Sequence, residues 1–558
     1  MALEPQATFA SAPKSDEKGI EVEDEVIPEW KPKKQEWAIM LTLSLLSLLV
    51  ALDATVLVTG LPVLAEALNG TTVEAFWAGA SYLLSSAVFQ PVIASISAQF
   101  GRQQLLLISL TFFTVGTVFC AVAHNFTILL AGRSIQGIGG GGIVTMSQVI
   151  FCDIVPLRVR PKYFAIVLGA WAIGSIIGPV IGGVIIEHTT WRWLFYINFP
   201  FCALGFIFVP LCIKLTAVTK LTFSEKLRKI DWIGAFIFVG SMTSFLMGLS
   251  WAGVQYEWKS FQTLVPISVG VGGLFVFVAW EYFVGENSLL PLSLFYCWSA
   301  AAAFYCALIN GLLLFTALYY FPFYLMSVKA SMPTHAGVEL FPALACLVPG
   351  SIIVSLLTTR LGRYRWAIWI GWSITTGGAG MLIPFFKLDT NMTVFAGVLA
   401  VFGVGTGMVL TSVNFAIQSI SRPEDSAMAA SVYGFFRSLG MPIGVAVGGT
   451  VFTNGMSSKL TDLHLPTIIA HQAEGYVQKL HTMADTDPLK IGVLEAYAHG
   501  FRGIWYFMAC AAGSALLVSF IIQSFSMDKL FKSSFTTRPD SDTFSLVGTV
   551  KEKGDDFA

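Results

Sequence analysis

Two charged side chains interrupt stretches of the sequence that are otherwise apolar. Asp53 lies in the run 38–62 and Arg133 lies in the run 127–150. A carboxylate at membrane depth costs about 2.5–3.5 kcal/mol on insertion scales, so it is rarely without a function. We therefore expect Asp53 to handle protons or to act in gating. The alternative is that Asp53 only hydrogen-bonds a neighbouring helix.

Arg133 is the one strong cation of its run, and a buried arginine needs an anionic or carbonyl partner. Because Arg133 lies near one end of the run, its head could instead reach water at the membrane boundary. The residues that follow, Gln136 and Gly137, favour a buried functional position over that alternative.

Other polar and aromatic side chains in apolar runs are candidates for a ligand-binding cavity, which needs aromatic walls and a few polar groups. These candidates are Tyr82, Gln90, Gln136, Asn198, Asn310, Tyr319, Tyr320, Asn414 and Gln418. Arg437 also lies inside an apolar run, where we expect it to contact substrate or a carboxylate rather than make only a packing hydrogen bond. Few carboxylates besides Asp53 lie at membrane depth, which favours a neutral or weakly polar organic substrate.

The chain is too poor in charge for a water-soluble protein of its size. Of 558 residues, 55% are hydrophobic and 12% are charged. Soluble domains carry about 25% charged residues. The net charge of −1 gives no indication of a nucleic-acid partner. We predict an all-α polytopic membrane protein embedded in a lipid bilayer.

Neither a metal site nor a nucleotide cofactor is expected. The eight cysteines lie in or beside apolar stretches without a CxxC pair, so we interpret them as buried thiols. A G-x4-GK[ST] phosphate loop is missing from the sequence, so an ion gradient rather than ATP should supply the energy. Paired carboxylates and nucleophile–base arrangements typical of a membrane enzyme are also missing.

Fourteen apolar stretches are about as long as, or longer than, the roughly 20 residues that cross about 30 Å of hydrocarbon. They are 38–62, 76–98, 104–123, 127–150, 163–186, 193–213, 232–250, 263–284, 299–325, 336–358, 366–386, 392–414, 427–453 and 502–525. Lys and Arg cluster in alternate loops, such as 158–162 and 360–365, which places both termini in the cytosol. The sequons at Asn69, Asn125 and Asn391 then lie in outer loops and are glycosylation candidates.

An internal repeat indicates how these spans are arranged. Gly137-x-Gly139-x-Gly141-x3-Thr145 recurs as Gly403-x-Gly405-x-Gly407-x3-Thr411, an offset of 266 positions. The same offset relates Gly174, Gly178, Gly182 and Gly183 to Gly440, Gly444, Gly448 and Gly449. The repeat is parallel, as in transporters built from two six-span halves, and the offset leaves room for two further spans between the halves.

The repeat and the spans together predict five segments. A cytosolic tail (1–36) precedes a six-helix bundle (37–214), a linker with two extra spans (215–290), a second bundle (291–525) and another tail (526–558). The second bundle includes an outer loop, 454–501, in which Ile491, Leu494 and Tyr497 would allow a short interfacial helix.

Several motifs resemble those of the fourteen-span drug:proton antiporters of the major facilitator superfamily, and the likeness extends over about 37–525. The first span carries Leu52-Asp53-Ala54-Thr55-Val56 and Leu61-Pro62, and the second carries Trp77, Ser81-Tyr82-Leu83 and Gln90-Pro91. The fourth carries Arg133-Ser-Ile-Gln136-Gly137-Ile-Gly139, and the fifth carries Gly174 to Gly183 with Gly178-Pro179. The similarity implies a major facilitator fold of two six-helix bundles plus two extra spans. It also implies that Asp53 and Arg133 couple transport to protons.

The loop after the second span departs from the family pattern. Gly101 and Arg102 match the Gly-x3-Asp-Arg-x-Gly-Arg type of motif, but Ala94 and Ala98 replace its first glycine and its aspartate. In the family this aspartate pairs with cations across the interface of the halves, so the usual inward gate should differ here. The Gly178-Pro179 placement resembles an antiporter motif that uptake symporters generally lack.

The sequence therefore predicts proton-coupled efflux of small organic compounds, such as toxins, secondary metabolites or drugs, by alternating access. The expected partners are a small-molecule substrate, protons and lipid, and the chain is expected to act as a monomer. The plasma membrane is the default location, with a vacuolar or vesicular membrane as the alternative. A proton-coupled nutrient importer of the same fold and a non-transporting membrane sensor are the competing functions.

Overall fold

The computed structural model describes residues 30–68, 70, 72–217, 222–253, 255–285, 288–385, 390–528 and 535–536. Asn69 and most of the two predicted tails lie outside the described residues. Within these ranges the chain is mainly helical, and its strands form one two-residue pair, in which Thr216–Ala217 (β1) pairs antiparallel with Phe535–Thr536 (β2).

The N-terminal half contains six spans and, among the described residues, eight helices. Its helices are α1 (Lys34–Val56), α2 (Leu61–Ala67), α3 (Thr72–Phe100), α4 (Arg102–Ala121), α5 (Phe126–Ile154), α6 (Arg160–His188), α7 (Trp193–Tyr196) and α8 (Asn198–Cys212). The predicted sixth span is therefore two consecutive helices, α7 and α8.

The linker and the C-terminal half complete the helical chain. Their helices are α9 (Phe223–Arg228), α10 (Trp232–Trp251), α11 (Phe261–Val284), α12 (Trp298–Ser327), α13 (Pro333–Glu339), α14 (Phe341–Leu361), α15 (Arg365–Phe385), α16 (Met392–Ile420), α17 (Ser426–Asp462), α18 (Ile468–His471), α19 (Ala473–Thr482) and α20 (Pro488–Ser519). Each of the fourteen predicted spans coincides with one helix or with a consecutive pair of helices.

Thirteen helical stretches within the described residues are long and apolar enough to cross a membrane. The remaining predicted span corresponds to α15, which contains three tryptophans and four glycines in 21 residues. The two extra spans, α10 and α11, pack mainly against each other, and α10 also contacts α3 and α17. Many α11 side chains are exposed, among them Phe275 and Phe283, as expected for a helix that faces lipid.

Sequence signals at the helix ends account for several of these boundaries. Asn125 caps α5, since its side chain accepts a hydrogen bond from the Ile128 N–H, and Asn391 caps α16 in the same way. Gly101 separates α3 from α4 with a φ of 105°, a conformation that other residues rarely adopt. The two sequons at Asn125 and Asn391 therefore lie, exposed, at helix N-termini.

The outer connection of the C-terminal half differs from its prediction. α17 extends to Asp462 and α20 already begins at Pro488, so the non-spanning segment is shorter than 454–501. Ile491, Leu494 and Tyr497 belong to the first turns of α20 and form no separate interfacial helix. That expectation was wrong because the helical spacing continues without a break into the span, and the amphipathic helix of this connection is α19 instead.

The 266-residue offset is preserved in the helix boundaries. Adding it to the bounds of α5 gives those of α16. The repeated glycines also make similar contacts, because a Cβ at Gly174 would press on the Leu48 carbonyl oxygen of α1, and one at its equivalent Gly440 would press on the Leu308 carbonyl oxygen of α12. Small residues thus let α6 approach α1 and let α17 approach α12 closely.

Candidate functional site

Asp53 and Arg133 form an ion pair in the outer part of the N-terminal half. The Arg133 Nη1 donates to Asp53 Oδ2 at 2.8 Å, and each side chain is 1% exposed. Arg133 Nε also donates to the carbonyl oxygen of Ala78 at 3.0 Å. The predicted need of both residues for a partner is met by the same contact, which joins α1 to α5.

Two amides complete the surroundings of the Asp53 carboxylate. Gln136 Nε2 donates to Asp53 Oδ1 at 2.8 Å, and Asn198 Nδ2 donates to the same oxygen at 2.7 Å. Gln136 Oε1 accepts from Arg133 Nη1 at 2.7 Å, so the glutamine connects both charges. Asn198 was predicted as a cavity residue, but it belongs to this network because the first turn of α8 faces α1.

Tyr82 connects this network to the space between the halves. The guanidinium of Arg133 lies over the Tyr82 ring, with its Cζ 4.3 Å from the ring centroid. Tyr82 also lines a cavity of about 660 Å³ at the interface of α1, α3, α5, α6, α12 and α17. Ala54, which follows Asp53, lines the same cavity. A movement of Arg133 would therefore reach the cavity wall through one aromatic ring.

The cavity is mostly apolar, with a few polar groups and one charge. Val50, Phe164, Val167, Phe315 and Met441 provide apolar surface. The polar lining residues are Ser47, Tyr82, Ser86, Ser147, Gln148, Trp171, Arg437 and Ser438. Such a surface suits an organic molecule with a small number of polar groups.

Arg437 is the charged residue of this lining. Two contacts within the protein were considered for it, one with a carboxylate and one a packing hydrogen bond, and it makes neither among the described residues. Its guanidinium Cζ lies 4.7 Å from the centroid of the Trp171 ring, a cation–π contact across the two halves. Trp171 and Arg437 are related by the 266-residue offset, so the two repeat-equivalent residues contact each other. Neither a carboxylate nor a packing hydrogen bond holds the Arg437 guanidinium among the described residues.

Gln90 and Asn310 lie near the cavity but are used for packing between helices. Gln90 Nε2 donates to Ser438 Oγ at 2.8 Å and joins α3 to α17. Asn310 Nδ2 donates to the carbonyl oxygen of Thr406 at 3.3 Å and joins α12 to α16. Both were predicted as cavity candidates, and neither lines the 660 Å³ cavity.

Asn414 and Gln418 lie at the cytosolic end, where they help to close the interface. Gln418 Nε2 donates to Asn414 Oδ1 at 2.8 Å, and Gln418 Oε1 accepts from Arg160 Nη1 at 2.6 Å. Arg160 also donates to Ser426 Oγ at 2.7 Å. These two residues do not line the cavity in this structure, because their positions near the end of α16 place them beyond it.

The loop motif with the missing aspartate has an alternative acidic partner. Arg102 Nε donates to Asp153 Oδ2 at 2.9 Å, and Arg102 Nη1 donates to Ser97 Oγ at 2.6 Å. Asp153 lies at the cytosolic end of α5, so this contact is within the N-terminal half. The departure at Ala98 is thus accompanied by a pair that joins α4 to α5.

The outer end of the interface is closed by α13 and α19. Tyr319 lines a second cavity, of about 450 Å³, and its hydroxyl donates to Glu474 Oε1 of α19 at 2.9 Å. Gln478 Nε2 of α19 donates to Glu66 Oε2 of α2 at 3.3 Å, so α19 contacts both halves. Glu187 of α6 accepts a hydrogen bond from the Thr334 N–H of α13 at 3.0 Å.

Sequence reasoning missed Arg160, Trp171 and Glu474. Arg160 and Trp171 are equivalent by the offset to Ser426 and Arg437, and each contacts its equivalent residue. The repeat could have indicated that such pairs meet near the axis that relates the halves. Glu474 gave no signal, because its position beside Tyr319 depends on how the outer connection folds back.

The sequence profile of the Major Facilitator Superfamily matches residues 43–445. The chain belongs to the major facilitator superfamily. It is a multi-pass membrane transporter rather than an enzyme, and the predicted family and fold are confirmed.

Several fungal members of the superfamily are similar over most of their length. "MFS transporter L2" of Phoma sp. is 40% identical over 495 residues, which cover 88% of this chain and 82% of that protein. "Efflux pump FUS6" of Gibberella fujikuroi is 31% identical and covers 94% of this chain and 97% of its own. The "Acurin A biosynthesis cluster MFS-type transporter" of Aspergillus aculeatus is 33% identical over 89% of this chain and 91% of its own.

Solved structures of the superfamily share the fold at low sequence identity. A bacterial homologue of the human lysosomal transporter Spinster, inward-facing and occupied, has a TM-score of 0.56 at 18% identity, covering 88% of this chain and 97% of that one. The proton:xylose symporter XylE has a TM-score of 0.53 at 15% identity, covering 89% of this chain and 97% of its own.

Proposed function

We propose that this superfamily member exports a small organic compound, a secondary metabolite or toxin, in exchange for protons. The chain acts as a monomer, in the plasma membrane by default. The observation that carries the proposal is the buried Asp53–Arg133 pair, whose aromatic neighbour Tyr82 forms part of the cavity wall.

A buried carboxylate beside a cation can couple proton binding to movement. When Asp53 is ionised, it accepts from Arg133, Gln136 and Asn198. A proton on Asp53 removes the charge that holds Arg133, which is then left with the Gln136 and Ala78 oxygens. Because Arg133 stacks on Tyr82, its release changes the cavity wall and lowers the affinity for substrate there.

Two observations support export as the direction of transport. Gly178-Pro179 and Gly182 form the α6 seam against α1, and a Cβ at Gly182 would lie 2.6 Å from Thr59 Oγ1. The sequence of this seam resembles that of antiporters. In addition, one of the similar fungal proteins is named an efflux pump and another is named for a metabolite biosynthesis cluster.

The test is accumulation of a panel of labelled hydrophobic toxins in cells that express the wild-type chain, with and without a protonophore. If the chain exports the toxin, cells that express it should accumulate less toxin than cells that do not. If export is coupled to protons, the protonophore should remove this difference in accumulation. Asp53→Asn should remove it as well. This substitution keeps an oxygen that can accept from Arg133, and the amount of the variant in the membrane is measured so that loss of coupling is distinguished from loss of folding.

Two controls make the result specific. Asp485→Asn changes a carboxylate in the outer connection that is 96% exposed, and export should stay at the wild-type level. Asp53→Asn creates an Asn-Ala-Thr sequence with Thr55, so endoglycosidase treatment must show that no glycan has been added. Full protonophore-sensitive export by Asp53→Asn would contradict the proposal, and increased accumulation in wild-type cells would indicate import.

A further inference from the structure

Four arginines are less than 10% exposed among the described residues, and three of them have acceptors. Arg102 bonds Asp153 and Ser97, and Arg133 bonds Asp53, Gln136 and Ala78. The third, Arg160, donates to four acceptors: the carbonyl oxygens of Val155 and Cys152, and the side chains of Gln418 and Ser426. The protein thus solvates these three buried guanidinium groups with its own oxygen atoms.

Arg437 is the exception. It is 5% exposed, and its Nε and Nη2 are buried without an acceptor within the part of the chain that the structure describes. Its cation–π contact with Trp171 stabilises one face of the guanidinium plane but satisfies none of its N–H groups. An unpaired buried charge is strongly destabilising, so a group from outside the protein is expected to complete this site.

The groups around Arg437 are suited to an anion. Ser147 and Gln148 line the same cavity from α5, and Gln148 packs against Gly434, one helical turn before Arg437 on α17. The Ser147 hydroxyl lacks a partner among the described residues and can donate. Gln148 is also buried, and its amide can donate through Nε2. The residues that line the cavity include no carboxylate that could neutralise Arg437.

We propose that Arg437, Ser147 and Gln148 bind a carboxylate of the transported molecule, whose hydrophobic body lies against the apolar cavity wall. Arg437 supplies a charge-assisted contact, and Ser147 and Gln148 donate the remaining hydrogen bonds. This inference rests on the proposed function, since it names the substrate as an acidic organic compound. It replaces the neutral substrate expected from the scarcity of carboxylates, because the unpaired cation selects for charge.

The test is the thermal unfolding of the purified full-length protein in detergent at pH 8, without a proton gradient. The probes are two hydrophobic acids, 4-(1-pyrenyl)butyrate and dodecanoate, and the two alcohols with the same carbon skeletons. A ligand that binds the folded protein raises Tm. We expect at least one acid to raise the Tm of the wild-type protein more than its alcohol does.

The variants assign that preference to the site. Arg437→Gln should weaken binding of the acid by about 10-fold or more and abolish the preference over the alcohol, whereas Arg437→Lys should retain part of it. Arg363→Gln, which changes an exposed cytosolic arginine, should leave the preference for the acid over the alcohol unchanged. Since Arg437 donates no hydrogen bond within the described protein, Arg437→Gln is expected to fold with an unliganded Tm at or above that of wild type.

Two results would overturn the inference: equal or absent shifts with acids and alcohols in the wild-type protein, or an acid preference that persists in Arg437→Gln. Because no gradient is present, the experiment is independent of proton coupling. An acid preference together with protonophore-insensitive transport would contradict the proposed function alone. Proton-driven export without any acid preference would contradict only the inference.

Discussion

In the N-terminal half, α1 places Asp53 against Arg133 of α5, whereas the positions 266 residues later carry Tyr319 on α12 and Leu399 on α16. The C-terminal half therefore has the same helices without the ion pair. In its place, Tyr319 donates to Glu474 of the outer connection. The comparison teaches that one scaffold was used twice, with the buried aspartate–arginine pair in the first copy only.

The same asymmetry is seen where the halves meet. Trp171 contacts its repeat equivalent Arg437, and Arg160 contacts its equivalent Ser426. In each pair one half supplies the cation and the other supplies its neighbour. The N-terminal half thus carries a buried arginine that is paired with an acid, and the C-terminal half adds to the cavity a buried arginine that has no carboxylate partner among the described residues.

The largest expected effect comes from breaking the charge pair of the N-terminal half. Arg133→Gln leaves the Asp53 carboxylate buried beside amides alone, which should lower the free energy of unfolding by about 3–5 kcal/mol. The double variant Asp53→Asn/Arg133→Gln should lose less free energy of unfolding than Arg133→Gln does, since both charges are then gone. Thermal unfolding of the purified variants measures both.

The matched control is the corresponding change in the C-terminal half. Arg437→Gln removes a buried arginine that has no carboxylate partner among the described residues, so it should leave the stability unchanged or raise it. Equal losses from Arg133→Gln and Arg437→Gln would show that the two arginines have equivalent structural roles. The contrast between the halves would then be wrong.

A smaller effect is expected from the glycine seams, in which the two halves should behave alike. An added Cβ at Gly182 of α6 would press on the Val56 carbonyl oxygen of α1, and one at Gly444 of α17 would press on the Leu312 carbonyl oxygen of α12. Gly182→Ala and Gly444→Ala should each cost about 1–3 kcal/mol, because the helix backbones must separate. Export should fall with both changes.

Gly169 provides the control for this prediction, since it lies in the same helix as Gly182 with no heavy atom within 4 Å of an added Cβ. Gly169→Ala should be neutral or slightly stabilising, because alanine favours the helix by about 1 kcal/mol over glycine. If Gly169→Ala were as costly as Gly182→Ala, the loss would not come from the contact with α1.

The sequence was informative where composition and spacing dominate. Apolar runs located every span, and the 266-residue offset predicted the equivalence that the bounds of α5 and α16 show. Asp53 and Arg133 could be recognised because charge is rare at membrane depth. The need of Arg133 for an anionic or carbonyl partner was also predicted, but that this partner is Asp53 is seen only in the structure.

The remaining contacts depend on distances that spacing along the chain does not determine. Asn414 and Gln418 have the composition of cavity residues, but their depth along α16 places them at the cytosolic closure. Glu474 lies 155 residues from Tyr319, and only the path of the outer connection brings the two together. A contact of this kind has no periodic signature.

The smallest expected effect concerns Glu474, the outer counterpart of the buried acid in the N-terminal half. Burial raises the pKa of Glu474 from 4.5 to about 7, partly opposed by the hydrogen bond from Tyr319. The folded protein therefore binds the proton more tightly than the unfolded chain does. The contribution of Glu474 to stability is full below pH 4.5 and is lost as the pH rises to about 7.

The contact of α19 with α12 should consequently be tighter under acidic outer conditions, and its opening should increase between pH 5 and pH 7.5. Hydrogen exchange of the α19 amides, corrected for the intrinsic pH dependence of exchange, measures this. Glu474→Gln should remove the pH dependence, because an amide does not titrate, and Glu495→Gln on α20, where the side chain is 50% exposed, should not. A pH response that persists in Glu474→Gln would assign it to another group near α19, such as His481 or Glu66.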